Sequence, residues 1–170
     1  MMSIQEKFGK IKGLKIAIIG DIAHSRVARS NLHGLLKLGA HVILVGPSTL
    51  LPQGFRDLGC ELCHDLESVL PRVDVLNMLR VQFERLQSQA FPSVREYSQF
   101  YGLTAARLAK AKDNVLVMHP GPLNRGLEID SAVADGPNSA ILEQVANGLA
   151  VRMAVLFLVT RASEPITAIR

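Results

Sequence analysis

Apolar residues along this chain gather into short β-branched runs, separated by amphipathic stretches and by glycine or proline stops. Leu14-Lys15-Ile16-Ala17-Ile18-Ile19-Gly20-Asp21 reads as a buried strand ending on glycine. From Ser25 to about Leu38 the pattern turns helical, and Gly39 closes it. His41-Val42-Ile43-Leu44-Val45-Gly46-Pro47 is a second strand with a hard stop at Gly-Pro. A helix over residues 52–58 leads to a strand at Cys60, and residues 65–70 form a short helical turn. Residues 73–79 make the next strand, and residues 80–100 read as a polar, mobile loop with a helical piece. Thr104 caps a helix to about residue 112, and residues 114–118 are the fifth strand. Asn138 or Ser139 then caps a long final helix over residues 138–161. Residues 1–13 form a lead-in segment or helix.

Strands alternating with helical patterns predict an α/β fold: an open, mostly parallel, Rossmann-like sheet with helices on both faces. A length of 170 residues suits a single domain over residues 1–170. Hydrophobic residues at 48% against 20% charged exclude an intrinsically disordered chain. The net charge of +4 is spread along the chain with no basic block and few aromatics, which argues against nucleic acid as a partner. The most apolar stretch, residues 141–160, is interrupted by Glu143 and Arg152, so it reads as a buried helix and not as a membrane span. Charged residues break up residues 1–13, so no signal peptide is expected there and the predicted location is cytoplasmic.

Cys60-Glu61-Leu62-Cys63-His64 spells C-x-x-C-H, which also fits haem attachment, a redox pair or half of a zinc site. No second cysteine pair completes a zinc site, and positions three apart on a strand face opposite ways. The plain strand reading is the stronger one. Neither a metal site nor a cofactor is expected.

In open α/β sheets, ligands sit beyond the carboxyl ends of the strands, which selects three segments. The first, after strand one, lacks G-x-G-x-x-G, so a nicotinamide-dependent oxidoreductase is disfavoured. Arg26, Arg80 and Arg125 follow three different strands on one sheet edge, an arrangement suited to a small dianion. The plainer alternative pairs Arg26 with Asp21, Arg80 with Glu84 and Arg125 with Glu128. Ser25 lacks a nucleophile elbow, no His–Asp pairing is legible, and the five histidines are scattered. His119 reads either as an acid–base group or as a strand-end residue turning into the loop. Such a site works by positioning and charge stabilisation.

Four ordered segments then resemble one family. They are residues 3–9, the run Gly20-Asp21-Ile22-Ala23-His24-Ser25-Arg26-Val27-Ala28-Arg29-Ser30-Asn31, the run Leu79-Arg80-Val81-Gln82-Phe83-Glu84-Arg85, and Met118-His119-Pro120-Gly121-Pro122-Leu123-Asn124-Arg125-Gly126-Leu127-Glu128-Ile129. Together they are similar to the catalytic chain of the aspartate carbamoyltransferases. The resemblance implies transfer of the carbamoyl group from carbamoyl phosphate to the amine of L-aspartate, in pyrimidine synthesis. It implies that Arg26 and Arg80 grip the two aspartate carboxylates and that Gln82 contacts the same substrate. It further implies that backbone carbonyls of Pro120-Gly121 hold the reacting amino groups, with His119 beside them. Asp21, Glu84, Glu128 and Arg125 would be orienting residues, with Glu84 and Glu128 acting on Arg80. Residues 80–101 resemble a loop that closes on aspartate.

The sister family that uses ornithine would carry a cysteine in the turn at residues 119–122 and lacks Arg80-x-Gln82. The resemblance implies a homotrimer of complete chains, and the His24-Ser25 and Asn124-Arg125-Gly126 variants look like members that associate with dihydroorotase. Family chains are about twice as long, and the Ser-Thr-x-Thr-Arg loop for carbamoyl phosphate is missing here. The chain thus resembles the aspartate-binding half alone, which would use carbamoyl phosphate only with a partner domain. The alternative is a non-catalytic dicarboxylate-binding or assembly module derived from that family. Either way, residues 5–8 and Val155, Leu156, Leu158 and Val159 are expected to be exposed where the other half would pack.

Overall fold

The computed structural model describes residues 1–82 and 93–161. Five strands, β1 (Lys15–Ile19), β2 (His41–Val45), β3 (Glu61–Cys63), β4 (Val75–Met78) and β5 (Leu116–Met118), form one sheet in the order β3-β2-β1-β4-β5. All four pairings are parallel. The β-branched runs become strands because both faces of the sheet are covered, and period-two alternation sends successive residues to opposite layers. Ile16, Ile18, Val42 and Leu44 face one core layer, whereas Ala17, Ile19, Ile43 and Val45 face the other.

Helix α1 (Met2–Phe8) contributes Ile4 to the first layer, and α2 (Arg26–Lys37) contributes Ala28, Leu32 and Leu35. Short helices α3 (Leu66–Val69), α5 (Ala105–Leu108) and α6 (Ser131–Ala134) cover the second layer. Helix α4 (Val94–Tyr101) inserts Tyr97 against Val81 and Leu127. The helix starts expected at Ser25 and Thr104 are capped, their side chains accepting the Ala28 and Arg107 N–H groups; Asp65, for which no cap was expected, accepts the Glu67 N–H in the same way. α6 lies inside the Pro/Gly-rich stretch read as loop, since four residues are too few to show a helical period.

Helix α7 (Ile141–Arg161) overturns the reading of residues 141–160 as a buried helix. Ile141 is its buried residue, while Leu142, Leu149, Met153, Leu156, Leu158 and Val159 are exposed. Apolar character selected a helix that must be covered, but among the described residues nothing covers it. By length and composition alone α7 could cross a membrane. The expected exposure of Val155, Leu156, Leu158 and Val159 is found. Gln5, Glu6 and Lys7 are exposed too, whereas Phe8 is half-buried against the first core layer. The two helices meet through Asn147, whose amide donates to Ser3 Oγ at 3.1 Å and Glu6 Oε2 at 2.6 Å.

Candidate functional site

Parallel register decides what meets at the site. Ile19 aligns with Val45 and Met78, and Asn77 aligns with Met118, so the chain leaves β1, β4 and β5 at one edge. The strand order reverses between β1 and β4, and a crevice at such a reversal is the expected ligand position. There a cleft of about 700 Å³ is lined by Asp21, His24, Ser25 and Arg26 after β1, by Leu79, Arg80 and Gln82 after β4, and by Pro120 and Gly121 after β5. Val27 and Arg152 complete the lining.

Two glycines let these exits run close together. A Cβ on Gly46 would lie 2.5 Å from the carbonyl oxygen of Gly20, and Gly20 itself has φ +136° with Leu79 Cβ 3.0 Å from where its own Cβ would be. Beyond Gly20 the loop is pinned by Ile22 N–H to Gly20 O (3.0 Å), Ala23 N–H to Leu50 O (2.9 Å) and the Arg29 guanidinium to Ala23 O (2.6 Å). Arg26 is then the first residue of α2, at the positive end of the helix, whose first turn carries no acidic residue. A cation there is unfavourable for the helix and favourable for a bound anion.

Asp21, 5% exposed, does not pair with Arg26. Its carboxylate meets His24 Nδ1 at 2.9 and 3.1 Å and also accepts the His24 backbone N–H at 3.2 Å. The His–acid pairing that was not legible along the chain is therefore made within one turn of loop, where no sequence period marks it.

Beneath the cleft lies a second such pair. His119 is fully buried: Nδ1 accepts the Gly121 N–H at 2.8 Å, and Nε2 lies 3.2 Å from Glu128 Oε1. Because Nδ1 accepts a backbone N–H, Nε2 carries the proton and donates to Glu128. With both ring nitrogens engaged and no surface on the cleft, His119 is withdrawn from the acid–base role read for it; it shapes the Pro120-Gly121 turn. Glu128 Oε1 also accepts the Asn124 N–H at 2.6 Å, and the Asn124 amide donates to Val81 O at 2.7 Å, tying the turn to the Arg80–Gln82 segment. Glu128 therefore does not hold Arg80, as had been expected. Among the described residues neither Arg80 Nε nor Glu128 Oε2 has a hydrogen-bond partner. Burial pushes the hydroxyl of Tyr97 well above the ordinary tyrosine range, and the nearby Glu128 and Asp21 carboxylates push it the same way.

Arg125 is also corrected. It is half-exposed, forms a two-pronged ion pair with Asp135 at 2.6 and 2.9 Å, and does not line the cleft. Asp135 raises its pKa, while Arg125 lowers that of Asp135. The third guanidinium in the cleft is Arg152, from α7. Its signal in the sequence was its solitude, since it is the one charged residue between Glu143 and Arg161. Glu84 and the core of the 80–101 loop lie outside the described residues. The thiols of Cys60 and Cys63 donate to the carbonyls of Phe55 (3.0 Å) and Asp65 (3.3 Å), in line with the strand reading, although β3 begins one residue after Cys60. Among the described residues no group of three metal-ligating side chains assembles.

The sequence pattern of the Asp/Orn binding domain of aspartate/ornithine carbamoyltransferases matches residues 12–159. The aspartate carbamoyltransferase catalytic subunit of Halothermothrix orenii is 60% identical over 158 residues, covering 93% of this chain and 50% of that relative. The one from Syntrophobacter fumaroxidans is 59% identical, covering 93% and 52%. Among solved structures, ornithine carbamoyltransferase from Pyrococcus furiosus superposes with TM-score 0.77 at 29% identity, over 91% of this chain and 52% of that one. Aspartate transcarbamoylase from Trypanosoma cruzi in complex with carbamoyl phosphate and aspartate gives 0.75 at 28%, over 91% and 53%. Superposition alone does not separate the aspartate from the ornithine enzymes. The high sequence identities are to relatives named for aspartate. The chain spans about half the length of the curated relatives it matches.

Proposed function

The chain belongs to the aspartate/ornithine carbamoyltransferase family, and from that premise we propose that it is the aspartate-binding half of an aspartate carbamoyltransferase. The observation that carries this is the meeting of Arg26 and Arg80 in one cleft with Gln82 and the Pro120-Gly121 turn. Two guanidiniums, Arg26 opening α2 and Arg80 following β4, can each take one carboxylate in a two-pronged grip, which suits a four-carbon diacid. A substrate with a terminal ammonium in place of the second carboxylate would be repelled. Gln82 adds a neutral donor and acceptor. Carbonyl oxygens of the Pro120-Gly121 turn would accept from the substrate amine and from the carbamoyl amide, aligning nitrogen and carbon.

In the reaction the deprotonated amine of aspartate attacks the carbonyl carbon of carbamoyl phosphate. A new N–C bond forms, the C–O bond to phosphate breaks with its electron pair leaving on phosphate, and the proton lost by the amine passes to the departing phosphate. This chain's share is binding and orientation, worth several kcal/mol of barrier when both reactants are held in line. The carbamoyl phosphate site is assigned to a partner half, so the isolated chain is expected to turn over nothing. The exposed face of α7 is the surface proposed to receive that half. Arg152 lies at the middle of α7 and at the cleft, and a guanidinium at mid-bilayer costs about 2.5 kcal/mol or more, so a soluble partner is favoured over lipid. A homotrimer of complete chains, association with dihydroorotase and a cytoplasmic location complete the proposal.

Calorimetric titration with succinate and L-aspartate tests the site, and L-ornithine serves as the control. Succinate binding that Arg80→Gln weakens at least tenfold is expected; an equal response to ornithine would overturn the assignment. Co-expression with the amino-terminal half of the Halothermothrix orenii relative is expected to restore carbamoylation of aspartate. Binding without restored activity would favour a non-catalytic dicarboxylate module, and turnover by the chain alone would refute its proposed incompleteness.

A further inference from the structure

A second concavity, a groove of about 300 Å³, lies between α2 and the 3-10 turn Gln53–Leu58 and shares no lining residue with the cleft. Pro52, Gly54, Phe55 and Leu58 line it from the turn, Arg29 and His33 from the helix. Phe55 is fixed from two sides: it packs on the first core layer, and its carbonyl accepts the Cys60 thiol at 3.0 Å. Leu58 remains 44% exposed. Gly54 does not have the left-handed backbone that calls for glycine, and a Cβ there would meet nothing within 4 Å, so its effect is the space it leaves. Arg29 and His33 stand four apart on one face of α2, and both are exposed. Among the described residues the lining holds no acidic side chain, and neither Arg29 nor His33 is in an ion pair.

An apolar wall facing a guanidinium and an imidazole suits a ligand with an apolar body and one anionic group, and the volume suits a small molecule. Arg29 also connects the groove to the cleft. Its Nη2 donates to Ala23 O at 2.6 Å, in the loop that carries His24, Ser25 and Arg26 to the cleft. Ala23 N–H in turn donates to Leu50 O at 2.9 Å, at the end of the segment Ser48–Leu50 that leads through Leu51 and Pro52 into the groove's turn. Both walls of the groove therefore hold the same residue of the cleft loop. We propose that the groove binds a small amphipathic carboxylate, an aromatic or alicyclic body bearing one anionic group, and that its occupation weakens dicarboxylate binding in the cleft through Arg29. The coupling rests on the dicarboxylate reading of Arg26 and Arg80. A carboxylate is a stronger acceptor for a guanidinium than a peptide carbonyl, so it draws Arg29 from Ala23 and frees the loop. Its charge also lowers the positive potential that attracts a dianion. The antagonism is reciprocal by thermodynamic linkage.

The test uses the 170-residue chain with 1-naphthoate as probe, followed by calorimetry and by amide chemical shifts. The controls are 1-naphthamide, which lacks the charge, and acetate, which lacks the apolar body. Naphthoate is expected to bind with shifts centred on residues 29, 33 and 54–58 and reaching residues 23–26, and each control to bind at least tenfold more weakly. Arg29→Gln removes the charge and Gly54→Leu fills the groove; each should weaken naphthoate at least tenfold, and Gly54→Leu should leave succinate affinity within twofold. Saturating naphthoate is expected to weaken succinate about fivefold in the unsubstituted chain and less than twofold in Gly54→Leu, which separates coupling from direct competition in the cleft. Unaltered far-ultraviolet circular dichroism and melting temperature would certify the fold of each variant. Naphthamide bound as tightly as naphthoate, shifts centred on α7, undiminished naphthoate affinity in Gly54→Leu, or succinate affinity indifferent to naphthoate would each overturn the proposal. If succinate fails to bind the unsubstituted chain, the dicarboxylate reading falls; the groove is then still judged by the two variants, and its coupling by whether naphthoate shifts the amides of residues 23–26.

Discussion

His119 and Glu128 face each other at 3.2 Å with no solvent exposure on either side chain, directly beneath the turn that closes the cleft. Their pairing supports the Pro120-Gly121 backbone from below, through the Gly121 N–H on one side and the Asn124 N–H on the other. His119→Ala therefore leaves a buried carboxylate with one donor fewer and the Gly121 N–H without its acceptor. Urea denaturation should show a loss of about 2–4 kcal/mol, and succinate affinity should fall although His119 does not line the cleft. An affinity unchanged by His119→Ala would detach the pair from the site.

Arg26 and Arg80 are predicted to act together on a dicarboxylate. Removing either as Arg→Gln should weaken succinate about 10- to 100-fold by calorimetry, the range expected for one charge-assisted pair of hydrogen bonds. Lysine at position 80 should not restore binding, because a point charge lacks the planar fork. Full recovery by Arg80→Lys would speak against a two-pronged grip.

Gly46 passes so close to Gly20 that a methyl group has no room: its Cβ would lie 2.5 Å from a backbone oxygen. Gly46→Ala should cost about 1–3 kcal/mol in thermal or chemical unfolding and should shift the β1 exit loop that carries Asp21 and Arg26. A variant of undiminished stability, with unchanged amide shifts at residues 20–26, would contradict the close approach.

Asp74 anchors the opposite end of the sheet. Burial would raise its pKa, but hydrogen bonds from Lys112 Nζ (2.7 Å) and the Lys15 N–H (2.8 Å) outweigh this and hold it below its usual value. A carboxylate depressed in the folded state contributes stability that is present above its unfolded pKa of about 4 and is lost as pH falls through the folded value. Asp74→Asn should therefore cost about 1 kcal/mol at neutral pH and flatten the acid limb of the stability profile below pH 4. An acid limb identical to that of the unsubstituted chain would rule the group out.

The exposed face of α7 predicts an unusual mutational pattern. Leu158→Glu, at a residue 67% exposed, should change the stability of the isolated chain by less than about 0.5 kcal/mol. The same change should abolish co-purification with the amino-terminal half of the Halothermothrix orenii relative. Retained association would place the docking surface elsewhere.

Local signals determined much of this protein. The β-branched runs, the caps at Ser25, Asp65 and Thr104, and the stop at Gly39 encode the alternating elements, because strand period, capping chemistry and left-handed backbone are properties of a few neighbouring residues. A mostly parallel sheet brings the segments after its strands to one edge, so Arg26 and Arg80 were legible there as site candidates, and the family resemblance added Gln82 and the Pro120-Gly121 turn. What the chain could not show was partnership. Arg125 had acids nearby along the chain and took Asp135 instead of Glu128; Asp21 took His24; His119 turned inward to Glu128. Hydrogen bonds of 3 Å are chosen by backbone direction at the ends of strands and turns, which no sequence period records. Arg152 lines the cleft from α7, which Gln144 ties to the His119 N–H after β5, and α7 is uncovered among the described residues because hydrophobicity encodes a need for contact without naming the surface that meets it.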